Sequence, residues 1–273
     1  MFLYETHLHT CQASACGRST GAEHARFYKD IGFAGIIVTD HFFGGNTCVP
    51  KDRPWKERVD MFCSGYEDAL IEGQKCGLDV FFGWEQGYGD DEYLVYGLDK
   101  QWLLNHPEVE TWTRREQLEG VHRYGGCVVQ AHPFRTRDYI RYVRLGYRYC
   151  DGAEIANAAN GALNDAYALR YAKHFGLSMT AGSDNHHSFE GLDPQKKIMG
   201  IALDQKLNSI DDLVQRILRR QPIGLHVPGE RWQAAEGETQ AIESFFLDEA
   251  ESLQPARINW LNASEADACN HPL

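Results

Sequence analysis

Histidines and carboxylates of this chain recur at the ends of predicted strands. His7 and His9 occupy alternate positions in the segment YETHLHT, so in a strand both side chains face the same side. Two imidazoles on one face can bind the same metal ion. Four further apolar segments end in donors of the same kind, namely Asp40 with His41, Glu85, His132, and Asp184 with His186. Such a set, without thiolate pairs, is typical of catalytic sites for zinc, manganese or iron.

The elements that must position these donors are predicted strands alternating with helices. Thr20 is expected to be the N-cap of the first helix, with Glu23 completing a capping box, and His24 on that helix is expected to be exposed. The spacing of apolar residues predicts one helix over residues 55–76, ended by Gly77. Seven or eight strands in this order indicate an α/β barrel or a doubly wound sheet. In both architectures the carboxyl ends of parallel strands meet at one mouth.

The number of donors predicts more than one metal ion. Five histidines and two carboxylates exceed the four positions of a tetrahedral site. We therefore expect two or three divalent ions, either zinc, manganese or iron. A carboxylate such as Glu85 can bridge a pair of them.

Five motifs, HLH, TDH, WE, AHP and GSDNH, occur in the order found in the polymerase and histidinol phosphatase (PHP) family. The chain resembles this family over about residues 1–225. The resemblance implies an α/β fold of the distorted (β/α)7 barrel type, with a di- or trinuclear metal site at the C-terminal ends of the strands. Most characterised members hydrolyse phosphate esters. Residues 226–273 are predicted to be an acidic C-terminal extension, partly helical or irregular, with a short helix at about 240–251.

The resemblance also implies a set of metal ligands. Glu85 matches the bridging position, and the residues that match the other ligands are His7, His9, His41, His132, Asp184 and His186. Cys16 stands where the family often has Asp or His, and it either ligates a metal or packs as a small apolar residue. Glu92 or Tyr93 stands where the family often has a His at the start of the fourth strand, and Glu92 is the better candidate ligand of the two.

The chemistry that follows is hydrolysis of a phosphoric monoester. Clustered divalent ions neutralise the phosphate and lower the pKa of bound water to about 7, so a hydroxide bridging two ions would attack phosphorus. Glu85, His41 and His186 are the predicted catalytic residues, and whether the two histidines ligate metal or protonate the leaving group stays open. Arg135 and Arg18 are candidate substrate contacts, because a guanidinium binds two phosphate oxygens at once.

Composition narrows the class of substrate and the compartment. The formal net charge of -12 disfavours binding to extended nucleic acid, which needs a basic surface. We expect a small phosphorylated metabolite, such as a nucleoside phosphate or histidinol phosphate. No apolar run is long enough to span a membrane, and no signal peptide is expected. The eight cysteines form no CxxC pair, which favours a reducing cytoplasm. The oligomeric state stays open.

Three other functions compete with the small-molecule phosphatase. An exonuclease-like phosphodiesterase is disfavoured by the acidic charge. An amidohydrolase-type barrel also begins with HxH, but it generally uses a strand-borne lysine, and no lysine ends a suitable strand here. A non-catalytic metal-binding module would account for the altered positions at Cys16 and Glu92.

Overall fold

The computed structural model of the chain describes residues 1–188, 193–233, 242–258 and 260. The strands are β1 (Phe2–Leu8), β2 (Gly35–Val38), β3 (Asp79–Gly87), β4 (Glu92–Tyr96), β5 (Cys127–Gln130), β6 (Val143–Leu145), β7 (Gly152–Asn157), β8 (Ser178–Gly182), β9 (Gly200–Leu203), β10 (Gly224–His226), β11 (Ser244–Leu247) and β12 (Leu253–Pro255). The α-helices are α1 (Gly21–Asp30), α2 (Trp55–Phe62), α3 (Ser64–Cys76), α4 (Lys100–Asn105), α5 (Arg114–Arg123), α6 (Ala162–Phe175), α7 (Pro194–Lys197), α8 (Ile210–Leu218) and α9 (Glu230–Gln233).

Nine strands form one sheet in the order β10-β9-β1-β2-β3-β4-β5-β7-β8. Strands β1, β2 and β3 are mutually parallel, and so are β5, β7 and β8, whereas β4 is antiparallel to both of its neighbours. Past the end of β8, Asn185 pairs with Leu8 in a parallel bridge. The His9 N–H donates to the Asn185 carbonyl at 2.9 Å, which nearly closes the sheet into a barrel at this end.

The helix signals in the sequence are largely confirmed. Thr20 and Glu23 form the predicted capping box, and Gly77 ends α3 in the left-handed conformation with φ 75°. The prediction of one helix over residues 55–76 is wrong, because the helix breaks at Cys63 into α2 and α3. The two halves pack against different partners, α2 against α4 and α3 against α1, so a single straight helix cannot satisfy both.

The predicted helix at 240–251 is wrong over residues 244–247. These residues form β11, which pairs in parallel with β6 and antiparallel with β12. The segment SFFL is rich in aromatic residues, which fit a pleated sheet well, and Phe246 packs against Tyr147 and Phe175. Residues 240 and 241 lie outside the described residues. Within the described ranges, every helix is too short or too polar to cross a lipid bilayer.

Helices α1 and α3 approach closely through two glycines. A methyl group on Gly21 would lie 2.0 Å from the Gly65 carbonyl oxygen. A methyl group on Gly65 would lie 2.0 Å from Thr10 Oγ1. The Thr10 hydroxyl in turn donates to Asp40 at 2.7 Å, just beyond the end of β2. This close approach therefore fixes the loop that follows the two histidines of β1.

Replacing Gly65 with alanine should destabilise the protein. The overlap with Thr10 should exceed the gain in helix propensity and lower the free energy of unfolding by about 1–2 kcal/mol. Urea unfolding followed by circular dichroism measures this change. Gly229→Ala is the matched control, because a methyl group there meets nothing within 4 Å. Equal stability of the two variants would contradict the packing argument.

Candidate metal centre

The structure brings the seven predicted donor residues together at one end of the barrel. Glu85, on β3, lies at the centre of the group and is only 1% exposed. Its Oε1 lies 3.3 Å from His7 Nε2 and 3.1 Å from His132 Nε2. Its Oε2 lies 3.4 Å from His9 Nε2 and 2.8 Å from His41 Nδ1. One carboxylate therefore contacts four imidazoles, of which His7 lies in β1 and the other three lie just beyond the ends of β1, β2 and β5.

Asp184 and His186 complete the group from the loop after β8. Asp184 Oδ1 lies 3.0 Å from His9 Nε2 and 3.5 Å from His7 Nε2. The His186 ring stacks on that of His9 with centroids 4.6 Å apart. His186 Nδ1 lies 2.7 Å from the Asp184 backbone carbonyl, which can only accept, so Nδ1 carries the proton and Nε2 is left with its lone pair.

Among the described residues, four overlapping groups of donors have ligand atoms within 4.8 Å of one another. They are His7 with Glu85 and His132, His7 with His9 and Asp184, His9 with His41 and His186, and His41 with Glu85 and Glu92. Glu92 therefore lies beside the other donors, with Oε2 3.5 Å from His132 Nε2 and Oε1 3.8 Å from His41 Nδ1, and its ligation of a metal stays a prediction.

Cys16 lies beside His41 and His186 at the mouth of the group. Burial raises the pKa of its thiol, but the two imidazoles outweigh this effect and bring the pKa to about 6. This placement agrees with a role as an outer ligand and leaves the packing alternative open. Ligation by Cys16 stays a prediction.

Two buried atoms of the group lack a hydrogen bond within the described residues. His41 Nδ1 and Glu85 Oε2 are only 2.8 Å apart, yet within the described residues neither takes part in a hydrogen bond. Buried polar atoms without a hydrogen bond are rare, and a cation between them would satisfy both. The residues present therefore fit a cluster of divalent ions, whose donors would be imidazole nitrogens and carboxylate oxygens.

The electrostatics of the group also require positive charge at its centre. Burial alone would lower the pKa of His7 and His41, but the surrounding carboxylates outweigh burial and raise both values well above the ordinary range. Burial would raise the pKa of Glu85, whereas His7 and His41 hold it well below its usual value. Glu85 thus stays ionised, and either protons on the imidazoles or bound cations must compensate its charge.

Two of the donor residues have left-handed backbone conformations. His132 has φ 29° and Asp184 has φ 53°, a region that residues other than glycine seldom adopt. Each costs of the order of 1–3 kcal/mol and persists only where the surroundings enforce it. Asp184 is held in place by Arg135, whose Nη2 donates to Asp184 Oδ2 at 2.5 Å. Strain of this kind clusters at functional sites.

Sequence reasoning missed the buried residues that orient the donors. Glu154 on β7 lies 3.2 Å from His7 Nδ1 and accepts the His132 backbone N–H at 3.1 Å. Ser14 Oγ lies 3.2 Å from His9 Nδ1 and donates to Asp40 at 2.6 Å. A carboxylate inside the otherwise apolar strand GAEIAN was the available signal for Glu154, because a buried carboxylate needs a partner.

The prediction that His24 is exposed is wrong. His24 lies on the face of α1 that packs against the end of β1, and it is fully buried. Its Nε2 lies 3.0 Å from the His9 carbonyl and its Nδ1 lies 2.7 Å from Ser188 Oγ. It therefore supports the backbone of a donor residue and does not belong to the donor group.

A cavity of about 480 Å³ opens onto the donor group. Its lining includes the donor residues Cys16, His41, Glu92, Asp184 and His186, and also Asn46, Arg135, Arg137, Tyr139 and Ala159. Arg135, a predicted substrate contact, is thus beside the donors and 9% exposed. Arg18, the other one, is exposed and is not among the described residues that line this cavity. Its backbone N–H donates to the His186 carbonyl at 2.8 Å.

Comparison with known proteins gives matches among solved structures. No protein-family model matches the chain, and no curated protein matches it. A provisionally assigned metal-dependent phosphoesterase from Bifidobacterium adolescentis is 16% identical with a TM-score of 0.50, and the match covers 80% of this chain and 96% of that one. PsfC from Pseudomonas syringae is 16% identical with a TM-score of 0.52, over 85% and 94% of the two chains.

A third match is a two-domain protein from Bacteroides vulgatus that contains a predicted PHP-like metal-dependent phosphoesterase. It is 13% identical with a TM-score of 0.57, and the match covers 83% of this chain and 65% of that longer one. At such identities the likeness shows the fold alone. The chain thus shares an α/β fold with a nearly closed, barrel-like sheet with these three proteins.

Replacing Glu154 with glutamine should weaken metal binding without unfolding the protein. The amide keeps the size of the side chain but removes the charge that raises the basicity of His7, so metal affinity should fall about 10–100-fold. Competition with a fluorescent chelator measures the affinity. Asp151→Asn is the control, because it also replaces a mostly buried carboxylate that pairs with a histidine, and Asp151 contacts His122 and the Val128 N–H rather than a donor residue. Unchanged affinity in Glu154→Gln would contradict the orienting role.

Proposed function

We propose that the protein is a metal-dependent phosphoesterase that hydrolyses a phosphoric monoester of a small metabolite. The observation that carries this proposal is the buried group of imidazoles around Glu85, which opens onto a cavity lined by arginine. The likeness in fold to proteins described as metal-dependent phosphoesterases supports it. We further propose that β1, β2, β3, β4, β5, β7 and β8 correspond to a distorted (β/α)7 barrel of the PHP type.

Two or three divalent ions would be held by the donor group. Glu85 would bridge, and the other proposed ligands are His7, His9, His41, Glu92, His132, Asp184 and His186, with Cys16 at the outer position. When bound, the ions would supply Lewis acidity toward a phosphoryl oxygen and a nucleophile at neutral pH. His41 and His186 both line the cavity, so the leaving group of a bound ester would lie beside one of them.

The guanidinium of Arg135 would bind the phosphate. Its Nε donates to Asn160 and its Nη2 donates to Asn157 and Asp184, at distances from 2.5 to 3.1 Å. Its Nη1 has no hydrogen-bond partner among the described residues, and Arg135 lines the cavity. A guanidinium held in this way is oriented before the anion arrives, so little freedom is lost on binding.

The size and lining of the cavity favour a small substrate. A volume of about 480 Å³ lies within the usual range for small-molecule sites. Arg137 and Tyr139 belong to its lining, and Tyr139 is 72% exposed. They offer a second cation and an aromatic face to the part of the substrate beyond the phosphate. A nucleoside phosphate and histidinol phosphate each carry an aromatic ring that would pack against Tyr139.

Phosphate release from a panel of substrates tests the proposal. The purified protein, supplied in turn with manganese, zinc and iron(II), is assayed with mononucleotides, nucleoside bisphosphates, histidinol phosphate and sugar phosphates. We expect release from one substrate class, and its loss in the His7→Ala/His9→Ala variant. Metal binding without release from any monoester would overturn the proposal, and oligonucleotide and amide substrates would then test the phosphodiesterase and amidohydrolase alternatives.

Arg137→Ala should raise KM for the substrate and leave metal content unchanged. Arg137 lines the cavity but contacts none of the donor residues, and its described hydrogen bonds go to the carbonyls of Thr136 and Ala159. Loss of one charge-assisted contact should raise KM about ten-fold or more. Arg141→Ala is the control, because Arg141 lies over the Tyr142 ring outside this cavity. Equal kinetics of both variants would contradict the assignment.

A further inference from the structure

Arg231 lies beneath the loop that holds Arg135. This loop, residues 157–160 (the 157–160 loop), begins at the last residue of β7. Arg231 Nη2 donates to two of its backbone carbonyls, that of Asn157 at 2.9 Å and that of Asn160 at 2.5 Å. Arg231 Nε donates to Asp165 Oδ2 at 2.8 Å, and Asp165 is 1% exposed. One guanidinium thus ties both ends of the loop to helix α6.

The opposite face of the 157–160 loop forms the wall of the proposed substrate site. The side-chain oxygens of Asn157 and Asn160 accept hydrogen bonds from Arg135 at 3.0 and 3.1 Å. Ala159, between them, lines the cavity, and its carbonyl accepts a hydrogen bond from Arg137. Both cavity arginines therefore rest on the segment whose ends Arg231 holds.

Asn157 also connects this loop to the donor group. Its Nδ2 donates at 2.8 Å to Glu154 Oε2, and Glu154 contacts His7. Arg135, the partner of Asn157 Oδ1, donates to Asp184. A shift of Asn157 would therefore disturb the orientation of Arg135 directly. The histidines would be disturbed less, because Glu154 lies inside strand β7 and accepts from His132 as well.

Apolar packing of the neighbouring residues holds Arg231 next to the 157–160 loop. Leu225, Val227 and Trp232 pack against the cluster that contains Ala156, Ala158, Ala181 and Met199. The segment from β10 to α9 therefore covers the loop from outside, with Trp232 beside Arg231 in sequence. The Arg231 side chain is 18% exposed, and its ion-pair partner is buried, so solvent screens the pair only weakly.

We propose that Arg231 is a positioning residue of the active site, which acts through the 157–160 loop to orient Arg135 toward a bound phosphate. The proposal rests on the proposed function for its kinetic consequence. Its structural part, which is the rigidity of the loop, does not depend on any reaction. Arg231 lies in the predicted C-terminal extension, so this extension would contribute to anion binding indirectly, through the 157–160 loop and Arg135.

Three variants of the full-length chain test the proposal. Arg231→Ala removes all three hydrogen bonds. Arg231→Lys keeps a cation next to Asp165 but loses the planar fork that reaches both carbonyls. Glu251→Gln is the matched control, because it removes a different ion pair of the C-terminal part, the one with Arg114, which does not contact the 157–160 loop.

Hydrogen–deuterium exchange measures the rigidity of the loop and does not depend on catalytic turnover. The amides of Ala159 and Asn160 donate to Asn157 within the loop, so their exchange reports on its integrity. We expect faster exchange at residues 157–161 in Arg231→Ala and Arg231→Lys, with β1 and β3 unchanged, and no such change in Glu251→Gln. If these residues exchanged as slowly in Arg231→Ala as in the wild-type protein, the proposal would be overturned.

Calorimetry measures the affinity of the metal-loaded protein for inorganic phosphate. This affinity reports how well Arg135 is oriented. We expect the affinity to fall roughly ten-fold in Arg231→Ala with metal content unchanged, and KM to rise more than kcat falls. Unchanged phosphate affinity, or an equal loss in Glu251→Gln, would overturn the proposal. A wild-type protein that binds phosphate but hydrolyses no ester would overturn the proposed function alone.

Discussion

The burial of one carboxylate, Glu85, is the constraint on which the rest of the site depends. An ionised carboxylate cannot be placed in a protein interior unless positive charge or hydrogen-bond donors surround it. Four imidazoles fulfil this condition, and they come from β1 and from the ends of β2 and β5. Their strands must therefore end at the same level as β3. The nearly closed sheet, joined by the pair of Leu8 and Asn185, provides this alignment.

The donors are held by a second set of buried polar groups. Glu154 fixes His7 and the backbone of His132, Ser14 fixes His9, and Arg135 fixes Asp184. Because each of these partners is itself hydrogen-bonded, the rotamers of the donors are restricted before any cation binds. The strained backbone at His132 and Asp184 is the cost of this arrangement. Natural proteins commonly spend stability on their functional sites in this manner.

Much of the donor set could be predicted from the sequence, because period-two spacing and strand-end placement are local patterns. His7 and His9 face one side of a strand whatever the rest of the chain does, and Glu85 ends an apolar run that is readily recognised. Capping at Thr20 is equally local. The break at Cys63 and the strand at 244–247 could not be predicted in this way, since both depend on which elements pack against them. The division at residue 225 stays a prediction.

The supporting residues escaped prediction for a related reason. His24 has the sequence context of a surface helix, and only the packing of α1 on β1 brings it to the His9 carbonyl. Glu154, Asn157 and Asn160 have no motif of their own, since their partners are distant in sequence. Tertiary structure alone decides whether a buried polar residue is satisfied.

The hydrogen bonds of Arg135 illustrate how buried polar partners can fix the orientation of a side chain before a ligand binds. Asn157, Asn160 and Asp184 occupy the Nε and Nη2 donors of this arginine. A free arginine on a loop would lose rotamer freedom when it met a phosphate, whereas this one has lost it on folding. Electrostatic stabilisation is most effective when the donor needs no reorganisation. The polar groups around Arg135 would therefore add to the anion binding proposed for it, although none of them needs to touch the anion.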